Sequence, residues 1–128
     1  MSDLTDYSEK YLLDYLLTGS SKYVALHTAD PGEDGSTGEV DVGTDADYVR
    51  KAVTFGAATL GVGQSVNTSA VSWTVNSSSG GYTVTHGSIW DAASGGNCLY
   101  KAQLAVPKAL VADEVFTMAV GEIIAALD

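Results

Sequence analysis

The chain has 128 residues, of which 45% are apolar and 17% are charged, and we expect one domain over residues 1–128 with a sizeable core. Sixteen acidic and six basic residues give a net charge of −10, which argues against nucleic-acid binding because a phosphate backbone needs clustered lysine and arginine. The single cysteine, Cys98, excludes an intrachain disulfide. No secretion signal or membrane-spanning run is recognisable, so we expect synthesis in a reducing cytoplasm and no membrane partner.

The first predicted element is an amphipathic helix over residues 3–18. Asp3 or Thr5 can cap its N-terminus, and Gly19 is a natural stop. Its apolar residues recur at three- and four-residue spacings and form one stripe. We expect the stripe to pack on the chain's own sheet, with a neighbouring subunit as the alternative. The stripe comprises Leu4, Tyr7, Tyr11, Leu12, Tyr15 and Leu16, with Leu13 and Leu17 off its centre.

Two strand-like segments, residues 22–28 and 48–55, flank an acidic, glycine-rich loop at residues 29–47. Both segments alternate side chains with a period of two. The loop offers only Val40 and Val42 as sizeable apolar side chains, so we expect it to protrude and to carry function. A solvated loop is the main interpretation of its acidic residues, and a bound divalent cation is the alternative. Those residues are Asp30, Glu33, Asp34, Glu39, Asp41, Asp45 and Asp47.

The remainder of the chain predicts further strands joined by short turns. Residues 56–70 read as an irregular crossing, and the strand at residues 82–90 is expected to bulge near Gly87. A long strand from Cys98 is expected to end at Pro107. Residues 115–120 and 122–127 read as one strand bent at Gly121, and residues 71–75 as a half-buried strand. The sequence therefore predicts a mainly β fold, an antiparallel β-sandwich or flattened barrel of six to seven strands with an N-terminal helix.

Candidate catalytic groups are few. His27 or His86 with Asp91 and Cys98 could form a thiol nucleophile site only if these groups met within hydrogen-bond reach, and strand alternation does not establish that. The glycine pairs lack the lysine and the strand-to-helix order of a phosphate loop. We therefore expect no catalytic residue and no enzyme activity. A sugar cleft lined by Trp73, Tyr82, Trp90 and Tyr100 beside paired carboxylates is an alternative, although aromatics at strand spacing are more often core.

Several segments together resemble a family of small virion proteins of tailed bacteriophages. They are the Asp-Pro-Gly turn within residues 26–32, Glu39-Val40, residues 48–55, Thr85-His86 and the Asp-Ala-Ala-Ser-Gly-Gly-Asn run within residues 89–100. The tryptophan strand at residues 71–75 and the last eight residues also fit, so the resemblance covers most of the chain after residue 22. The stretch around Asp45 and Asp47 departs from the family pattern.

The resemblance implies a virion structural protein, made in the host cytoplasm, whose position in the particle is open. A compact acidic chain without repeats suits a capsid decoration or cement protein better than a fibre shaft. Our first prediction is therefore a cement protein that binds the major capsid protein, copies of itself, or both, with a trimer at local three-fold axes as one arrangement. The alternatives are a tail, baseplate or tail-fibre component with a receptor- or glycan-binding role, and an enzyme acting on host-surface sugar.

Binding to partner proteins is expected to use the helix stripe and the acidic loop. Tyrosine is enriched in interfaces, and exposed carboxylates can meet basic residues on a partner. The candidate partner-binding residues are Tyr7, Tyr11, Tyr15, Asp30, Glu33 and Asp34.

Overall fold

The computed structural model describes residues 3–127, which form one helix and eight strands. All strand pairs are antiparallel, which confirms the predicted mainly β, sandwich-like fold, and no closed barrel forms among these residues. The elements are α1 (Asp6–Leu17), β1 (Lys22–His27), β2 (Lys51–Val53), β3 (Gln64–Val66), β4 (Val71–Thr74), β5 (Tyr82–Trp90), β6 (Cys98–Leu110), β7 (Val115–Met118) and β8 (Ile124–Ala126).

A four-stranded sheet in the order β2-β1-β5-β6 forms one side of the fold. Val24, Ile89 and Tyr100 lie in register across β1, β5 and β6, so they share one face of this sheet. That face packs on two ribbons, β3–β8 and β4–β7. Trp73, 2% exposed, lies in the shared apolar core, and its indole N–H donates to the carbonyl of Val49 at 2.9 Å.

Helix α1 begins and ends close to its predicted limits, but the face that it buries differs from the predicted one. Thr5 caps the helix by accepting a hydrogen bond from the Ser8 N–H at 3.3 Å. The buried residues are Leu13 and Leu17, both 0% exposed. The predicted stripe therefore does not pack on the sheet as a whole: only Leu16 packs against the core, and the other five stripe residues are exposed.

The rotation of α1 about its axis is fixed by a polar contact. The Asp14 carboxylate accepts hydrogen bonds from the Ala58 N–H at 2.7 Å and from the Lys10 ammonium at 2.6 Å. The hydrogen bond from Ala58, with help from Lys10, lowers the pKa of Asp14. Because Leu13 and Leu17 adjoin this anchored side of the helix, they face the core and the tyrosines are turned away.

Strand β5 matches its predicted limits, but the bulge expected in it near Gly87 lies on its partner β6. The pairing of the two strands shifts between Val84 and His86 and between Ile89 and Trp90, and at both places the extra residues belong to β6. Strand β6 also continues through Pro107 to Leu110. Pro107 is tolerated because it lies in the long bulge of residues 104–107 on an edge strand, where a missing N–H costs no ladder hydrogen bond.

Three other strand predictions need correction. The segment predicted as a strand over residues 48–55 is a strand only at Lys51–Val53, and the crossing at residues 56–70 contains β3. The C-terminal segment is two strands: β7 pairs with β4, and β8 pairs with β3. Gly121 between them has a φ of +83°, a left-handed conformation that redirects the chain from one ribbon to the other.

Candidate interaction surfaces and the ordered acidic loop

Helix α1 presents an uncharged aromatic face to solvent. Tyr7, Tyr11 and Tyr15 are 73%, 60% and 75% exposed, and the rings of Tyr7 and Tyr11 stack with centroids 6.4 Å apart. Leu12, three residues before Tyr15, borders these rings on the helix surface, and Leu4, just before the N-cap Thr5, is also exposed. We call these five residues the tyrosine face. A surface of this kind is typical of a protein contact.

The acidic loop does not protrude freely but folds back on the outer face of the four-stranded sheet. Glu39 forms a bridge with His27, and the Val40 N–H donates to the Leu26 carbonyl at 3.0 Å, so the loop extends the sheet beside β1. Gly35 packs so closely on Trp90 and Cys98 that a Cβ there would lie 2.6 Å from each side chain. The prediction of a protruding loop is therefore wrong.

A partly buried ion pair joins the loop to the residue just before β2. The Arg50 guanidinium donates to both carboxylate oxygens of Glu39, at 3.0 and 2.9 Å, and to the carbonyls of Ala92 and Gly95 at 3.1 and 2.8 Å. It also lies over the Trp90 ring, 3.8 Å from the centroid. Burial opposes ionisation of Glu39, but the hydrogen bonds from Arg50 and Tyr48 outweigh it and lower the pKa of Glu39. One arginine thus joins the acidic loop to the end of β5 and to the turn that follows it.

A second buried network lies under the loop. His27 is 0% exposed, and its Nδ1 lies 2.8 Å from the Thr37 carbonyl, to which only an N–H can donate. Its Nε2 lies 2.7 Å from the Ser88 hydroxyl, which also accepts the Trp90 indole N–H at 2.7 Å. In a neutral ring with its proton on Nδ1, Nε2 accepts the Ser88 hydroxyl proton, and every polar atom of this network has a partner. Burial lowers the pKa of His27 and favours this state.

Asp45 fixes the far end of the loop. It is 1% exposed, and its carboxylate accepts the Asn76 N–H at 3.0 Å and the Tyr82 hydroxyl at 2.8 Å. Burial, followed by this hydrogen bond and the Asp45 charge, raises the pKa of Tyr82. Although Asp45 lies where the sequence departs from the family pattern, it joins the loop to the turn after β4 and to β5.

The three loop carboxylates predicted to bind partners differ in their surroundings. Asp30 accepts the Lys101 ammonium at 2.9 Å, and Glu33 lies 3.6 Å from the same group. Asp34 accepts the N–H and the hydroxyl of Ser36 at 3.0 and 2.7 Å, and these bonds lower its pKa. The side chain of Glu33 is 98% exposed, against 65% for that of Asp30. Their role in binding stays a prediction.

The loop carboxylates do not converge as a cation site requires. Among residues 3–127, no three His, Cys, Asp or Glu side chains are placed to hold a metal ion. Glu39 is paired with Arg50, and Asp45 accepts the Asn76 N–H and the Tyr82 hydroxyl. Asp41 accepts a hydrogen bond from the Thr44 N–H at 2.9 Å. The alternative of a divalent cation in the acidic loop therefore gains no support from this geometry.

The candidate thiol site is not assembled either. Cys98 donates to the Tyr100 carbonyl at 3.4 Å, and burial raises the pKa of its thiol, so the reactive thiolate is disfavoured. His86 Nδ1 is 2.8 Å from the Thr85 hydroxyl, and the Asp91 carboxylate accepts the backbone and side-chain N–H groups of Asn97. The thiol candidates are thus each engaged with a different partner.

The tryptophans do not form an exposed sugar platform. Trp73 and Trp90 are 2% and 5% exposed, and both indole N–H groups donate within the chain. Neither tryptophan therefore offers an exposed ring face to a sugar.

Sequence reasoning missed the residues that order the loop, above all Arg50, Trp90 and Ser88. The signal was present in the resemblance, because Glu39, Arg50, Trp90 and the glycine-rich run at residues 91–97 all belong to the quoted segments. Those separate segments meet at one place in the fold.

No helix of the described range is long and apolar enough to cross a bilayer.

Comparison with protein families gives one assignment. Residues 3–126 match the family model described as podophage GP4 fiber I protein gp80. A search of curated proteins returned no match. The family match covers the helix, the acidic loop and all eight strands described above. The chain therefore belongs to the podophage GP4 fiber I protein gp80 family, and it is a structural protein of a phage virion.

Proposed function

We propose that this protein is a component of a phage tail fibre and that it acts by binding neighbouring virion proteins, without catalysis. The observation that carries the proposal is the family match over residues 3–126 to a fibre protein. It favours the tail-fibre alternative over our first prediction of a capsid cement protein, for which the comparisons offer no specific support. The absence of an exposed tryptophan platform leaves glycan binding outside the proposal.

The tyrosine face is the surface that fits attachment best. Burying two to three tyrosines at about 150–250 Å² each gives roughly 300–750 Å², whereas a standard interface needs about 800 Å² per partner. The face alone is therefore too small for a stable pairwise complex. Repetition of the contact around a fibre, with copies of this chain or with a neighbouring tail protein, supplies the missing stability by multivalency.

Cryo-electron microscopy of intact particles tests the position of the protein. Density for this fold at the tail supports the proposal, and many copies spread over the shell would overturn it in favour of cement. An antibody against the chain, labelled with gold, gives the same distinction without a high-resolution map.

A matched pair of triple variants tests the surface. Replacing Tyr7, Tyr11 and Tyr15 by serine should leave the fold intact, because the rings are exposed, and should reduce incorporation into particles about tenfold or more. The control replaces by serine three valines outside the tyrosine face. They are Val106, Val115 and Val120, which are 76%, 58% and 62% exposed. Equal incorporation of the two variants would contradict a role for the tyrosine face.

A further inference from the structure

A groove runs along one margin of the fold, between β6 and the C-terminal segment. Its volume is about 430 Å³, and residues 100–105 and 122–126 form its two sides. Val24, Ile89, Leu104 and Met118 contribute apolar side chains to its lining. A cavity of this size and character is typical of a binding site.

Each side of the groove includes one strand, β6 or β8. Among residues 3–127, β6 pairs only with β5 and β8 pairs only with β3, so the second edge of each strand is unpaired. Between Tyr100 and Gln103 the ladder of β6 with β5 is regular, so alternate residues of this stretch point their N–H and C=O groups at the opposite edge. Beyond it, the bulge that contains Pro107 interrupts the edge, which limits the groove to one short strand.

We propose that this groove binds an extended, non-acidic apolar segment of another virion polypeptide, which enters as an additional β-strand. Main-chain hydrogen bonds to the groove's edges would give affinity, and small apolar side chains at alternate positions would contact the apolar lining. An aliphatic small molecule would leave the edge N–H and C=O groups without partners. A non-acidic segment suits a chain with a net charge of −10.

A second copy of this chain is a poor occupant. A strand that fills the groove needs both of its edges free, whereas each of the eight described strands is already paired within its own sheet. Strand β6 of a copy could offer one edge only. The inference concerns a surface separate from the tyrosine face, and it holds whether the protein lies on the tail or elsewhere in the particle.

The test uses a synthetic peptide of alternating valine and alanine with a lysine at each end, and the purified chain labelled with ¹⁵N. We expect amide shifts to concentrate at residues 100–105 and 122–126 as peptide is added. A peptide with alternate amides N-methylated keeps the apolar side chains but loses edge hydrogen bonds, and it should bind at least about tenfold more weakly. Equal binding of both peptides, or shifts that lie elsewhere, would overturn the proposal.

A variant pair locates the site independently. Ala102→Phe places a ring in the groove and should weaken peptide binding about tenfold or more, whereas Ala109→Phe, at an exposed position of β6 outside the groove, should change it less than about twofold. If Ala102→Phe does not fold, the comparison of the two peptides on the unmodified chain still decides. Dimer formation without peptide, with protection of the β6 amides, would identify a second copy as the occupant and refute the proposal.

Discussion

Replacing Arg50 by alanine should lower the free energy of unfolding more than replacing any charged residue at the surface. The change removes four hydrogen bonds and the contact with Trp90, and it leaves the carboxylate of Glu39, whose side chain is only 22% exposed, without its cation. Breaking a buried ion pair from one side costs about 3–5 kcal/mol. Because this pair retains some exposure, we expect a loss near the lower limit, about 3 kcal/mol.

Urea unfolding followed by tryptophan fluorescence measures this loss. At about 2.1 cal/mol/K per residue, a 128-residue chain should also show a fall in Tm of about 10 °C. Arg50→Lys keeps the charge but loses the paired, planar contacts, so it should recover less than half of the stability. The control Lys108→Ala, at an exposed position, should stay within about 0.5 kcal/mol of the parent. A loss below about 1 kcal/mol for Arg50→Ala would refute the view that this residue holds the loop in place.

Three further predictions concern the interior. Burial places the pKa of His27 in the folded protein below its ordinary 6.5, and Glu39, Arg50 and His86 are its charged or titratable neighbours. In urea titrations at stepped pH, the free energy of unfolding should therefore be constant above about pH 6.5 and should fall at lower pH by at most ~1.4 kcal/mol per pH unit. A flat profile between pH 6.5 and 5 would contradict a buried neutral His27. Gly35→Ala should lower the free energy of unfolding by at least about 2 kcal/mol more than Gly95→Ala does. Both glycines have a positive φ, but of the two only position 35 would bring a Cβ into overlap with other atoms. Equal losses of stability would show that the loop is not packed on Trp90. The Tyr100 hydroxyl is buried without a hydrogen-bond partner in the described structure, so Tyr100→Phe should raise stability by about 1 kcal/mol in the same assay, and a loss of stability would mean that the hydroxyl has a partner.

Local periodicity was sufficient to predict helix α1 and strand β5. The helix carries a cap at Thr5 and a stop at Gly19, and β5 lies between turns rich in glycine, serine and asparagine. Both are signals contained within a few residues, so they could be recognised without knowing the fold. The orientation of the helix could not be predicted in this way, because it depends on the hydrogen bond from Ala58 to Asp14, between residues 44 positions apart.

The acidic loop shows the same limit more strongly. Its glycines and carboxylates are typical of a solvated loop, and nothing within residues 29–47 indicates burial. Order comes from partners outside the loop: Arg50 for Glu39, and Trp90 and Cys98 for Gly35. The resemblance pointed to these segments as a set, but only the structure shows that they are in contact.

Strands β7 and β8 could not be assigned to separate ribbons from the sequence, because their apolar runs are continuous on either side of Gly121. Their partners, β4 and β3, lie 41–47 and 58–62 positions earlier in the chain, separations about which alternation carries no information. Each ribbon is therefore specified by a pairing across sequence that only the tertiary structure reveals.

The position of these partners has a consequence for how the protein is made. Strands β3 and β4 cannot complete their ribbons until residues 115–126 have left the ribosome, so the two ribbons that cover the apolar side of the four-stranded sheet are completed last. Closing such distant contacts is slow compared with forming local turns. Chains cut short before β7 would lack both closing strands, and assembly would therefore receive only polypeptides that had been translated almost to residue 126.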